Sequence, residues 1–166
     1  MTGSFAMADV SGKPVTRRRA LAAGRIVLGA EAFELVSRGA LPKGDALTLA
    51  QFAAVNAAKL TSQLIPLCHP ISLNRVLVRH ALRPEAHAVD IYCVAEIAER
   101  TGVEMEALTA VSVALLTVWD LSKPINPALR IEAVRLLYKS GGKSGVWQAD
   151  EGLDPEAAAF LGTLDG

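Results

Sequence analysis

Four charged side chains frame one apolar run: Glu104 and Glu106 at its start, Asp120 and Lys123 at its end. A carboxylate three residues before a lysine puts both on one helical face, where they could share a proton. From Glu106 to Asp120 is fourteen residues. On a continuous helix the two share nearly one face but lie about 21 Å apart along the axis. One small-molecule site cannot use both from a single copy of that helix. If both are functional, two chains assemble the site together. Plainer readings exist for each group: the glutamates could complement the positive end of the helix dipole, and Asp120 and Lys123 could be a surface ion pair. Trp119 and Pro124 beside that pair suggest instead a partly buried helix end, where such charges are costly without a task.

His69 follows Leu67 and Cys68 between Pro66 and Pro70. Prolines on both sides hold that backbone rigid. This suits an imidazole that must be aimed, as a donor to phosphate or as an acid/base, though a structural histidine fits as well. Adjacent side chains on such a turn point apart, so a direct Cys68–His69 pair is not expected, and Cys68 reads as a small buried hydrophobe. Zinc would need three or four ligands, and the remaining candidates, Cys93, His80 and His87, fall in another predicted element and read as structural. The run Gly141 to Ser144 (GGKS) resembles the end of a phosphate-binding loop, but Leu137 stands where the first glycine belongs. A nucleotide-hydrolysing loop is therefore rejected. Successive glycines beside Lys139 and Lys143 could still cradle an anion through backbone N–H groups, or form a plain flexible turn. Lys43 precedes a predicted helix N-terminus, a favourable place for an anion.

These groups need a frame. Residues 1–20 carry Gly3, Gly12 and Pro14 without a period and read as an N-terminal arm. A short strand is expected from Gly24 to Leu28, a helix from Ala30 to Arg38 closed by Gly39, and an Ala/Leu-rich helix from Ala46 to Leu64 with Asp45 near its N-cap. Alternation from Arg75 to Leu82, and again from Val89 to Ile97, predicts a hairpin. The long apolar helix comes next, from Glu104 to Leu121, then a strand from Ile131 to Tyr138. Residues 147–166, rich in Asp and Glu, read as an acidic, loosely held tail, which leaves 21–146 as one catalytic domain. The order strand, helix, strand, strand, helix, strand is that of a ferredoxin-like α+β sandwich, an antiparallel sheet with helices packed on one face. The long helix is apolar on most sides, so its outer face is expected to pack on another subunit.

Composition narrows the class. Of 166 residues, 51% are apolar and 20% charged, which is greasy for a small chain and fits surface hidden in an oligomer. Seventeen basic and seventeen acidic residues cancel, so no global field favours nucleic acid or a membrane surface. Two cysteines far apart argue against a disulfide framework and for a reducing compartment. The run from Thr16 to Leu21 (TRRRAL) imitates a twin-arginine export signal, but Arg25 and Glu31 interrupt the chain beyond it before an adequate apolar region forms. No run is expected to reach membrane-spanning length. The expected location is the cytoplasm.

Together these segments resemble the cyclic pyranopterin monophosphate synthase family, molybdenum cofactor biosynthesis protein C. The resemblance is carried by Asp9 to Arg18 (DVSGKPVTRR), Lys43 to Asp45 (KGD), Ala57 to Lys59 (AAK), Leu64 to Pro70 (LIPLCHP), Thr101 to Thr109 (TGVEMEALT), Asp120 to Lys123 (DLSK) and Lys139 to Gly145 (KSGGKSG). It implies a lyase of ferredoxin-like fold that converts (8S)-3′,8-cyclo-7,8-dihydroguanosine 5′-triphosphate to cyclic pyranopterin monophosphate and pyrophosphate. It also implies a hexamer built as a trimer of dimers, with the site at the dimer interface. The family's catalytic aspartate and lysine fall on Asp120 and Lys123. Its substrate contacts fall on Leu67, Cys68, His69, Met105 and Glu106, with Glu104 beside them. Its other site cations fall on Lys43, Lys139, Lys13 and Arg18. Arg100 stands where the family commonly has a lysine, and Pro124 directly follows Lys123. No cofactor is required by the sequence, although a divalent metal ion could accompany the triphosphate. Two rivals stand beside this reading: a non-enzymatic nucleotide-sensing module of the same fold, and a phosphatase or cyclase acting on unmodified GTP.

Overall fold

The computed structural model describes residues 5–164. Residues 1–4 of the expected arm and 165–166 of the expected tail lie outside the described residues. Five strands form one antiparallel sheet, ordered β2-β3-β1-β4-β5. They are β1 (Thr16–Val27), β2 (Arg75–Arg83), β3 (Ala88–Glu99), β4 (Arg130–Ser140) and β5 (Trp147–Gln148). The helices are α1 (Ala30–Ser37), α2 (Ala46–Lys59), α3 (Thr61–Leu64), α4 (Glu104–Ser122) and α5 (Pro155–Gly162). Central β1 and β3 with the β2–β3 hairpin give the α+β arrangement expected from the element order.

The strand β1 is longer than its expected five residues and takes Thr16 to Ala20 from the supposed arm. Its Ala20, Ala22 and Ile26 pack toward α4, while Leu21 and Ala23 pack on the opposite face, all of them buried. The strand opens on three arginines and is covered on both faces only from Ala20 onward, so no apolar/polar alternation marks its start. The predicted 46–64 helix is broken at Leu60 into α2 and α3. Asp45 is the N-cap of α2, accepting from the Leu47 and Thr48 N–H groups at 3.0 and 3.2 Å.

One core lies between the sheet and α2 and α4, with Ala107, Ala110, Val111, Ala114, Leu115 and Val118 of α4 facing inward. By length and composition α4 could cross a membrane, at 19 residues and hydropathy 1.3, contrary to the expectation that no run reached that size. More than half of it is buried against this sheet, as befits a core helix. The second face of the sheet is not bare. There α5 seats Ala157 and Phe160, with Leu164 just beyond it, on Leu21, Ala23, Tyr92, Val94 and Leu137. The loosely held tail is thus largely an ordered clasp. Asp154 caps α5 through the Ala157 N–H at 2.8 Å and accepts from the buried Tyr92 hydroxyl at 2.9 Å.

Candidate active site

The residues singled out from the sequence separate into two clusters at opposite ends of α4. At its C-terminal end, Asp120 bridges two ammonium groups: Lys123 Nζ at 2.6 Å from Oδ1 and Lys43 Nζ at 3.0 Å from Oδ2. Lys123 meets Asp120 because three residues on a helix return to one face. Lys43 arrives from far along the chain, delivered by the turn that the Asp45 cap closes. All three side chains are about half exposed (49–54%). The partly buried helix end expected from Trp119 and Pro124 is therefore not present in the single chain. Lys123, and then Lys43, hold the Asp120 carboxyl below its usual range. The result is a carboxylate flanked by two cations and open to solvent.

At the N-terminal end, Glu106 is the contrasting group. It is only 3% exposed, and burial raises its carboxyl pKa, with the neighbouring Glu104 charge adding to the shift. It faces a cavity of about 260 Å³ lined by Leu67, Cys68, His69, Glu104 and Met105. Burial, and then the Glu106 charge, push the Cys68 thiol upward, so this cysteine is not an activated nucleophile. The His69 Nε2 lies 2.8 Å from the Ala8 carbonyl. A carbonyl only accepts, so this nitrogen carries the proton and donates. An anion at His69 would take the place of that carbonyl. Beside this cavity, Lys139 Nζ meets Glu104 Oε1 at 3.0 Å, and a smaller recess of about 80 Å³ is lined by Arg18, Glu104, Lys139, Gly141 and Lys143.

The fold therefore brings Leu67, Cys68, His69, Glu104, Met105, Glu106, Lys139 and Arg18 together at one end, and Lys43, Asp120 and Lys123 at the other. Lys13 joins neither cluster. It is exposed on the arm, its N–H donating to the Val10 carbonyl at 3.1 Å. Thr101, which opens one of the family-matching runs, also lines the larger cavity, as does Ala8, which the sequence did not single out. The Ala8 methyl carries no chemical signal, and only the return of the arm over the Cys68 turn places it there. The residues read as structural behave so: His80 Nδ1 meets Gln51 Nε2 at 3.1 Å, His87 packs on Phe33, and burial pushes the Cys93 thiol up to about 12. Among the described residues no group of three or more His, Cys, Asp or Glu side chains could hold a metal ion.

Chemically, one end of α4 offers a protonatable carboxyl, an imidazole donor and cations around a pocket, and the other a carboxylate–ammonium pair. The MoaC family model matches residues 7–142 of this chain. The cyclic pyranopterin monophosphate synthase of Novosphingobium aromaticivorans is 48% identical over 149 residues, 90% of this chain and 94% of that protein. Those of Chloroflexus aggregans and Thermomicrobium roseum are each 44% identical over 149 residues, 90% of both chains in each case.

Proposed function

The chain belongs to the MoaC family, and from that premise we propose that it is a cyclic pyranopterin monophosphate synthase. Its substrate is (8S)-3′,8-cyclo-7,8-dihydroguanosine 5′-triphosphate and its products are cyclic pyranopterin monophosphate and pyrophosphate, a step of molybdenum cofactor biosynthesis. The observation that carries the reading is the division of the family-matching residues into two half-sites about 21 Å apart along one continuous helix. Two copies of α4 running antiparallel would bring the Glu106 end of one chain to the Asp120 end of the other. The α2/α4 surface supports that pairing, since Leu49, Phe52 and Leu116 stand 44%, 67% and 58% exposed there. The assembly is a trimer of such dimers, acting in the cytoplasm, with no nucleic acid or membrane partner.

The reaction needs cations for a triphosphate, proton transfer for opening C–N bonds, and charge stabilisation while a hydroxyl attacks the α-phosphorus and pyrophosphate departs. In this reading Lys123 is the general acid and Asp120 its partner or the base. His69, Lys43 and Lys139 hold phosphates. Glu106 binds the purine or pterin edge, and Leu67, Cys68 and Met105 line its apolar side. The chain's own side chains do this work, and any divalent ion enters with the triphosphate. The test incubates the protein with GTP and, separately, with the cyclised triphosphate. Pyrophosphate release from the cyclised compound alone is expected. Release from GTP would favour a phosphatase or cyclase, and binding without turnover a sensing module.

A further inference from the structure

Three successive arginines open β1, and strand alternation divides them between the faces of the sheet. Arg17 and Arg19 point to the α5 face. Both are held there by the buried Glu96, at 2.9 Å from Arg17 Nη2 and 2.7 Å from Arg19 Nε. Arg19 also donates from Nη2 to the Leu164 carbonyl at 3.2 Å. Arg18 points the other way, toward the Glu104 end of α4, and its described hydrogen bonds go to main-chain carbonyls. Nε donates to Glu99 O at 3.0 Å and Nη2 to Arg100 O at 3.1 Å. Glu99 ends β3 and Arg100 opens the turn that delivers Glu104 and Glu106.

The other side of the same guanidinium lies against the glycine loop. A Cβ on Gly142 would stand 2.9 Å from Arg18 Cζ, and one on Gly141 3.0 Å from Arg18 Cγ. Both glycines hold positive φ, 95° at Gly141 and 72° at Gly142, so their lack of a side chain serves the turn and the close approach together. Arg18 is therefore wedged between the two segments that carry Glu104 and Lys139, whose ion pair closes the recess.

We propose that Arg18 is a positioning residue: it clamps the β3–α4 turn to the glycine loop and so sets Glu104 against Lys139. This role rests on the proposed synthase activity but departs from the direct triphosphate contact that the family resemblance implies. A planar guanidinium reaches two adjacent carbonyls at once. An ammonium, as a compact point charge, replaces the charge but not the fork. The clamp and the phosphate ligand therefore respond differently to the same substitution.

The experiment compares full-length parent, Arg18→Lys and Arg18→Ala. Amide hydrogen exchange is followed without ligand, and kcat and KM are measured on the cyclised triphosphate. The clamp predicts that both variants behave alike. Exchange at residues 101–106 and 141–145 rises about tenfold or more, protection of the β3 core from Ile91 to Ala95 stays as in the parent, and kcat falls more than KM rises. Added ethylguanidinium should restore part of the lost kcat and protection in Arg18→Ala. Parental exchange in both segments, or an Arg18→Lys enzyme close to parent while Arg18→Ala loses substrate affinity, would overturn the clamp in favour of a phosphate ligand. A parent inactive on the cyclised compound would remove the functional reading, while the exchange comparison would still decide what Arg18 does.

Discussion

Mixing two inactive variants, Glu106→Ala and Asp120→Ala, should regenerate activity. Fourteen residues of α4 separate the two carboxyls, about 21 Å at the helical rise, and Asp120 makes its ion pairs at the far end with Lys43 and Lys123. If a two-fold axis joins opposite ends of two α4 helices, each site takes Glu106 from one chain and Asp120 from the other. In a mixed dimer one site carries both defects and the other carries neither. Random pairing at equal concentrations makes about half of all dimers mixed, so about 25% of the parental sites should be intact. The assay unfolds the two variants together, refolds them, confirms exchange with differently tagged chains, and measures pyrophosphate release from the cyclised triphosphate. Each variant alone should stay near background. Proven exchange with no recovery would place both carboxyls in one chain's site. That result would contradict the shared-site argument, whatever the reaction.

Other outcomes depend on particular contacts. Lys123→Ala should abolish turnover and leave folding intact; Lys123→Arg, which keeps the charge but does not readily release a proton, should restore binding without rate, and a nearly parental Arg variant would make Lys123 an electrostatic clamp. His69→Ala and Lys43→Ala should each weaken substrate binding by about 1.5–3 kcal/mol per charge-assisted contact, read by titration; unchanged affinity with collapsed turnover would reassign the residue to proton transfer. Phe160→Ala should cost about 3 kcal/mol in denaturant unfolding, since the ring is 3% exposed and lies under the Arg79 guanidinium at 4.7 Å; a loss near zero would mean that α5 contributes little. Because burial raises the folded-state pKa of Glu106 above its ordinary 4.5, its contribution to stability is complete below that value and is lost as pH rises through the folded pKa. Glu106→Gln should therefore gain stability relative to parent between acid and neutral pH, and a pH-independent difference in urea midpoints would refute the buried charge.

Much of the frame was legible from local pattern, because its causes are local. The β2–β3 hairpin alternates, Asp45 sits at a helix start, and the apolar run from Glu104 is long enough that rise per residue alone separates Glu106 from Asp120. The family-matching runs also lie in order along the chain, so candidate site residues could be named before any fold was known. Tertiary structure decided what joins them. Asp120 and Lys43 are 77 residues apart, and Glu104 and Lys139 are 35 apart. No periodicity encodes such pairs, since each exists only when the sheet and the helices bring distant turns together. The start of β1 was hidden because it opens on three arginines and continues into small apolar residues buried on both faces, so neither part alternates. The helix α5 was hidden because its acidic flanks outweigh three apolar contacts whose meaning depends on a sheet face formed elsewhere. The arginine triplet shows the division most clearly. Its charge is plain in the sequence, but only Glu96 behind, and the Glu99 and Arg100 carbonyls in front, determine which arginine faces the site and what it holds.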